Sequence, residues 1–165
     1  MKTLLLLRHA KSDWGQPGRR DFVRPLNKRG LRDAPLVGAF LHSQRIRPDL
    51  LLCSPAERAR MTASLVAGSA QLRIEPRFDE RIYEASAASL VEVIREVEDK
   101  AHVVLLVGHN PGLSDLIAKL TGEVRHMATA ALARITLEVE HWSEAEREGN
   151  CLLEWLIKAD ASDDD

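Results

Sequence analysis

Three short aliphatic runs in this chain give way at once to side chains that handle phosphate or protons. Residues 3–7 are followed by Arg8 and His9, residues 50–53 by Ser54-Pro55-Ala56-Glu57-Arg58, and residues 103–107 by Gly108 and His109. A guanidinium is a fixed fork of N–H donors that matches phosphate oxygens. Imidazole is a nucleophile or a proton carrier near neutral pH. Taken singly, each feature has a plainer reading. Arg8-His9 reads as a surface turn, Arg58 as a helix-surface charge, and His109 as a capping or core histidine. Together, two imidazoles and at least two guanidiniums describe a site for phosphoryl transfer, provided the fold brings the three run ends to one place.

The elements that would do so are legible in outline. Continuous rather than alternating apolarity suggests strands buried on both faces, as in a parallel sheet. Helix signals follow each run. Asn27 can cap a helix reaching toward Gln44, although Pro35 must kink or split it. Ser54, Pro55 and Glu57 supply an N-cap, a first-position proline and a capping-box glutamate, for a helix running to Gly68. Asn110-Pro111 repeats the logic, and Gly122 closes that helix. Residues 86–98 form an amphipathic pattern with Leu90, Val93, Ile94 and Val97 on one face. Residues 133–139 alternate and residues 151–157 are mostly apolar. They read as two further strands, an antiparallel pair or sheet-edge additions. The expectation is an α/β fold, a three-layer α/β/α sandwich on a mostly parallel sheet. Ligands in such folds bind beyond the carboxyl ends of the strands, where helix N-termini favour anions.

Bulk properties agree with a single domain over residues 1–159, followed by an acidic tail at 160–165. The chain has 165 residues, 45% hydrophobic and 29% charged, with a net charge of -2, so no global basic field supports nucleic-acid binding. The longest aliphatic runs are too short to cross a bilayer. The N-terminus lacks a small-residue cleavage site before Arg8, so a secretory leader is not expected. Two separated cysteines, Cys53 and Cys151, suit a reducing cytoplasm.

The motifs resemble the histidine phosphatase superfamily. Leu7-Arg8-His9-Ala10, the Ser54–Ala59 stretch Ser-Pro-Ala-Glu-Arg-Ala with Thr62-Ala63, and Val107-Gly108-His109-Asn110-Pro111 carry the resemblance, with matching motifs from about residue 1 to Thr129-Ala130-Ala131. The short chain and Arg24-Pro25-Leu26 look like its SixA-type phosphohistidine phosphatase branch. The resemblance implies a phosphoglycerate mutase-like fold and a covalent phospho-His9 intermediate. It makes Arg8 and Arg58 the phosphoryl clamps, His109 the second imidazole and Arg24 an additional phosphate-binding arginine. It implies no metal and no cofactor, since arginines would meet the charge on the phosphoryl oxygens. The implied substrate is a phosphorylated protein, a histidine phosphotransfer or carrier protein, with a small phosphoester as the alternative. Asp79-Glu80-Arg81-Ile82-Tyr83 resembles the Glu-Arg-x-Tyr segment of phosphoglycerate mutases, which makes Glu80 the first candidate for proton transfer and Glu84 the reserve. One departure is Ala10, where the superfamily usually has glycine; a methyl is tolerable there unless the backbone needs positive φ.

Other chemistries fit less well. Cys53 to Arg58 is one residue short of a Cys-x5-Arg phosphate loop and the segment has no glycine, so Cys53 reads as a buried strand-end residue. His42, His102, His126 and His141 are scattered without metal-ligand spacing, and His126 reads as a solvent-facing loop residue. No Gly-x4-Gly-Lys-Ser/Thr loop exists. Residues 19–24 are too short, mixed in sign and poor in aromatics to be a nucleic-acid patch. A non-catalytic module that binds phosphorylated partners is a third reading, against which stands the intact Arg8, His9, Arg58 and His109 set.

Overall fold

The computed structural model describes residues 1–158. The acidic segment 160–165 lies outside the described residues. Strand β1, Lys2–Arg8, runs along the middle of a six-stranded sheet with its apolar residues buried on both faces. Side chains alternate across a strand. Leu5 and Leu7 therefore enter a core containing Val37, Leu41, Ala63 and Val66, while Leu4 and Leu6 enter another containing Leu90, Ile94, Leu116 and Ile117. The first core belongs to helices α1, Lys28–Ser43, and α2, Glu57–Ala70, on one face of the sheet. The second belongs to α3, Ala87–Arg95, and α4, Gly112–Thr121, on the other. Two buried faces explain why the strands carry no polar alternation.

The remaining strands are β2, Leu50–Cys53; β3, Pro76–Phe78; β4, Val103–Gly108; β5, Ala131–Leu137; and β6, Cys151–Lys158. The sheet order is β3-β2-β4-β1-β5-β6. The first four strands are mutually parallel, and β5 and β6 extend the sheet antiparallel beyond β1. This is the expected α/β/α sandwich, with the late strands both an antiparallel pair and an edge addition. Register places Arg8 beside Gly108 and Cys53 beside Val107, so the three apolar runs end level with one another. β1 is followed by a helix on one face and β4 by a helix on the other. The gap between these two strand ends is therefore the switch point where α/β sheets bind ligands.

Local signals deviate in instructive ways. Asn27 caps α1 as expected, its side chain accepting from Gly30 N at 2.9 Å. Pro35 does not split α1, which runs unbroken through it. α2 begins at Glu57 with Ala56 at the cap position, not Ser54, because Ser54 turns its hydroxyl toward His109 and toward the Ala56 amide. The helix also passes Gly68 and ends at Ala70, where Gln71 takes the left-handed conformation with φ 58°. α4 starts one residue later than expected, with Pro111 and not Asn110 at the cap position; Asn110 Oδ1 still accepts from Ser114 N at 3.2 Å, and Gly122 closes the helix at φ 79°. The amphipathic pattern at 86–98 shortens to α3, capped by Ser86, with Val97 buried beyond its end. β3 carries only three residues at the sheet edge and had no sequence signal of its own.

Two close backbone approaches shape the loops around the strand ends. A Cβ on Gly30 would lie 2.1 Å from Lys11 O, so only glycine lets the loop after β1 cross α1 here. A Cβ on Gly112 would lie 2.5 Å from Ala85 O, where the segment before α3 meets the start of α4.

Candidate active site

His9 sits immediately beyond β1, with its backbone N–H donating to Gly108 O at 3.1 Å. Its ring Nδ1 lies 2.8 Å from Ala10 O. A carbonyl can only accept, so Nδ1 carries the proton and the Nε2 lone pair faces the site. Arg58 Nε points at that Nε2 from 3.4 Å. His9 is 6% exposed, and burial pushes its pKa down to about 3, with the neighbouring His109, Arg58 and Arg8 adding to the effect. The imidazole is therefore neutral at physiological pH, as an attacking nitrogen must be. Ala10 is fully buried and is absent from the positive-φ residues, so the methyl in place of glycine causes no backbone strain. Its amide donates to Thr62 Oγ1 at 3.0 Å, and Thr62 donates onward to Arg58 O at 2.7 Å, which ties the His9 loop to the first turn of α2.

His109 follows β4 and faces His9, the ring centroids 5.1 Å apart. Its Nε2 is 2.7 Å from Ser54 Oγ, while its buried Nδ1 has no protein partner. Burial, with Arg58 next, lowers its pKa to about 4. Arg8 is held by Met127 O, which accepts from its Nη1 at 3.0 Å and from Asn110 Nδ2 at 2.7 Å. Arg24 is 7% exposed, hydrogen-bonds to Ser12 and packs its guanidinium 3.6 Å from the Trp14 ring. The Nε atoms of Arg8 and Arg24 are buried without a partner. Orphaned charged donors of this kind fit an anion. Arg8, His9, Arg58 and His109 are thus brought to one place, and Arg24 is linked to them through Asp21.

Asp21 and Tyr83 are part of this constellation; Asp21 had no sequence signal as a site residue, and Tyr83 had only its place in the Glu-Arg-x-Tyr segment. Asp21 Oδ1 accepts from Arg24 Nη2 at 2.9 Å, and Oδ2 accepts from Arg58 Nη2 at 3.0 Å and from Tyr83 Oη at 2.6 Å. Its backbone carbonyl accepts from Arg58 Nη1 at 2.8 Å. Partial burial works against ionisation, but hydrogen bonds from Tyr83, Arg24 and Arg58 outweigh it and hold the carboxyl well below the usual range. Tyr83 is raised to about 12 by burial and by Asp21, and its ring meets His109 edge-on at 5.7 Å. A carboxylate three residues before an arginine reads as an ordinary surface ion pair; only the fold reveals that Arg58 meets it as well.

The carboxylates expected to move protons are placed differently. Glu80 is exposed in a short 3-10 turn, Glu80–Ile82, and makes no side-chain hydrogen bond or ion pair with the site residues. Glu84, also exposed, lines a cavity of ≈ 470 Å³ with His109, Asn110 and Asp115. His126 is exposed, as expected of a loop histidine. Cys53 is fully buried, its thiol pushed up to about 12 by burial, which is the opposite of an activated nucleophile. Among the described residues, no three His, Cys, Asp or Glu side chains cluster as a metal site, and no helix is long and apolar enough to cross a membrane.

A phosphoglycerate mutase-like sheet carrying an arginine-histidine cluster at its switch point is the architecture of histidine phosphatases. The model of the histidine phosphatase superfamily (branch 1) matches residues 4–102, more than half of the sequence, and the chain belongs to that family. An uncharacterised protein of Mycobacterium tuberculosis is 34% identical over 151 residues, covering 85% of this chain and 92% of its own. A proposed SixA phosphohistidine phosphatase from Agrobacterium tumefaciens superposes with TM-score 0.81 at 28% identity, covering 94% of this chain and 97% of its own. A second proposed SixA, from Nakamurella, superposes with TM-score 0.84 at 24% identity over 96% of both chains and shares the fold.

Proposed function

We propose that this chain is a phosphohistidine phosphatase that releases phosphate from a protein-borne phosphohistidine through a covalent phospho-His9 intermediate, without a metal or cofactor. The observation that carries the reading is the His9 ring: Nδ1 is committed to Ala10 O, Nε2 is unprotonated, and arginines surround it. In the first step Nε2 forms a bond to phosphorus as the P–N bond of the substrate breaks, and the substrate imidazole leaves carrying its own proton. In the second, water attacks the phospho-His9 phosphorus, the His9 N–P bond breaks, and inorganic phosphate departs. Arg8, Arg24 and Arg58 meet the charge on the phosphoryl oxygens throughout, a preorganised role that requires no ion. His109, its ring 5.1 Å from that of His9 and its Nδ1 unpartnered, is a group placed to hold a proton during these steps. A leaving imidazole needs less protonation than an alkoxide, which suits a site whose candidate acids are exposed glutamates.

The segments flanking the site favour a protein over an enclosed metabolite. Residues 11–27 and 71–86 carry nothing larger than three-residue 3-10 turns and the short strand β3, which supports a mouth without a large covering insertion among the described residues. The test is phosphate release, in EDTA, from a histidine-phosphorylated carrier protein beside a panel of small phosphoesters. Faster release from phosphohistidine, abolished by His9→Ala, supports the reading. Preference for a small ester moves the function to metabolite dephosphorylation by the same chemistry. Binding of the phosphorylated carrier without release makes the chain a recognition module.

A further inference from the structure

Arg58 carries five N–H donors, and the structure accounts for how they divide. Nε faces His9, while Nη1 and Nη2 each give one hydrogen to Asp21, to its backbone carbonyl and its Oδ2. One hydrogen on each Nη remains for a phosphoryl group. Arg24 is tied to the other oxygen of the same carboxylate, and Tyr83 donates to Oδ2 from a different loop. Resting on the phosphatase reading, we infer that Asp21 is a positioning residue: its carboxylate and carbonyl fix Arg58 with Nε toward His9 and hold Arg24 beside it, so that the two guanidiniums present one preset phosphoryl cradle.

Charge balance supports this role. Arg8, Arg24 and Arg58 contribute +3 and Asp21 contributes -1, and both imidazoles are neutral, so the cluster sums to +2. That matches a phosphoryl dianion. Without Asp21, two guanidiniums that share one carboxylate would repel each other and spread. The gain would appear in the transition state, because an arginine aimed in advance need not reorganise as charge builds on the transferring oxygens. Asp21 takes no part in bond making. It also lies on an exposed 3-10 turn, Asp21–Val23, that contributes no buried residue, so its replacement leaves the core intact.

The variants are Asp21→Asn and Asp21→Glu, assayed with phosphoramidate for kcat and KM, with inorganic phosphate for inhibition, and for Tm. Asn keeps the size but loses the charge and one acceptor. For Asp21→Asn, kcat falls at least tenfold, phosphate inhibits as tightly as in the wild type or more tightly, and Tm is little changed. Asp21→Glu, which restores the charge, recovers part of kcat. A kcat equal to or above the wild-type value overturns the proposal and would make Asp21 an obstacle to phosphate. A parallel loss of kcat, phosphate binding and Tm also overturns it, leaving a purely structural role. A wild type that neither turns over phosphoramidate nor binds phosphate overturns the phosphatase reading and this proposal with it. An active wild type equalled by Asp21→Asn overturns this proposal alone.

Discussion

Burial of two neutral imidazoles couples the chemistry of this site to its stability. In the unfolded chain a histidine titrates near ~6.5. In the fold, burial and the nearby arginines lower His9 to about 3 and His109 to about 4. As pH falls below ~6.5 the unfolded state takes up protons that the folded state refuses, so stability drops until the folded pKa is reached. Between pH 7 and pH 5 each histidine contributes a loss of about 2 kcal/mol by this linkage, or about 4 kcal/mol for the pair. The perturbation that isolates one of them is His9→Gln, which keeps a polar side chain but cannot titrate. Urea unfolding of both proteins at pH 7 and pH 5 gives the stabilities. The variant should gain about 2 kcal/mol on the wild type when the pH is lowered, whatever its absolute stability, because acid-sensitive groups shared by both proteins cancel in the difference. Stabilities that fall in parallel would mean His9 titrates near its ordinary value. Burial would then not be what keeps the nucleophile neutral. The same linkage sets the pH–rate profile: the acid limb belonging to His9, whose pKa burial lowers to about 3, should lie well below pH 6 in phosphoenzyme formation from phosphoramidate.

Other expectations follow from the same contacts. Arg58→Ala should lower kcat/KM by about 100-fold or more, on the scale of losing a preorganised transition-state donor, and steady-state kinetics near the wild-type value would remove Arg58 from the site. Glu84→Gln should slow hydrolysis of an alkoxide-leaving ester more than Glu80→Gln, because Glu84 shares a cavity with His109; equal and negligible effects on every substrate would leave neither as an acid. Ala10→Gly should leave kcat unchanged and cost about 1 kcal/mol in denaturant unfolding, since the methyl is buried and the backbone has no need of glycine; a rise in kcat would show that the methyl restricts the site.

What the sequence made legible is what the sheet controls. Leu5, Leu7, Leu51, Leu105 and Val107 announce buried parallel strands because both faces of those strands must be apolar, and a strand end is fixed once its apolar run stops. The ends of these runs therefore place Arg8, His9 and His109 from the sequence alone. Helix ends were read less well. Ser54 is an excellent cap by type, yet its hydroxyl serves His109, and the competition between a local signal and a tertiary contact was settled by the latter. Gly68 stops nothing because α2 is held on α1 beyond it, with Ser69 donating to Pro35 O at 2.5 Å. Asp21 and Tyr83 stand 62 residues apart, and no spacing rule connects residues on two different loops.

This division also separates the parts of the site by how firmly they are held. His9 and His109 are set by adjacent parallel strands in fixed register, and Arg58 stands in the first turn of a helix packed on the sheet. Their relative positions can change only if the core changes. Arg24 and Asp21, by contrast, belong to the loop of residues 11–27, which is held to the rest by Asn27 N to Lys11 O, Asp13 N to Pro25 O and the ionic contacts of Asp21 itself. The parts set by the sheet are thus Arg8, His9, Arg58 and His109, and the loop, apart from Asp21 and Arg24, is the element freer to change without moving them. Discrimination between a protein phosphohistidine and a small ester should accordingly map to the exposed part of residues 11–27: substitution of Phe22, which is exposed and touches no arginine of the site, should alter KM for the carrier protein more than phosphoramidate turnover. An equal effect on both substrates would place the loop in the common chemistry instead.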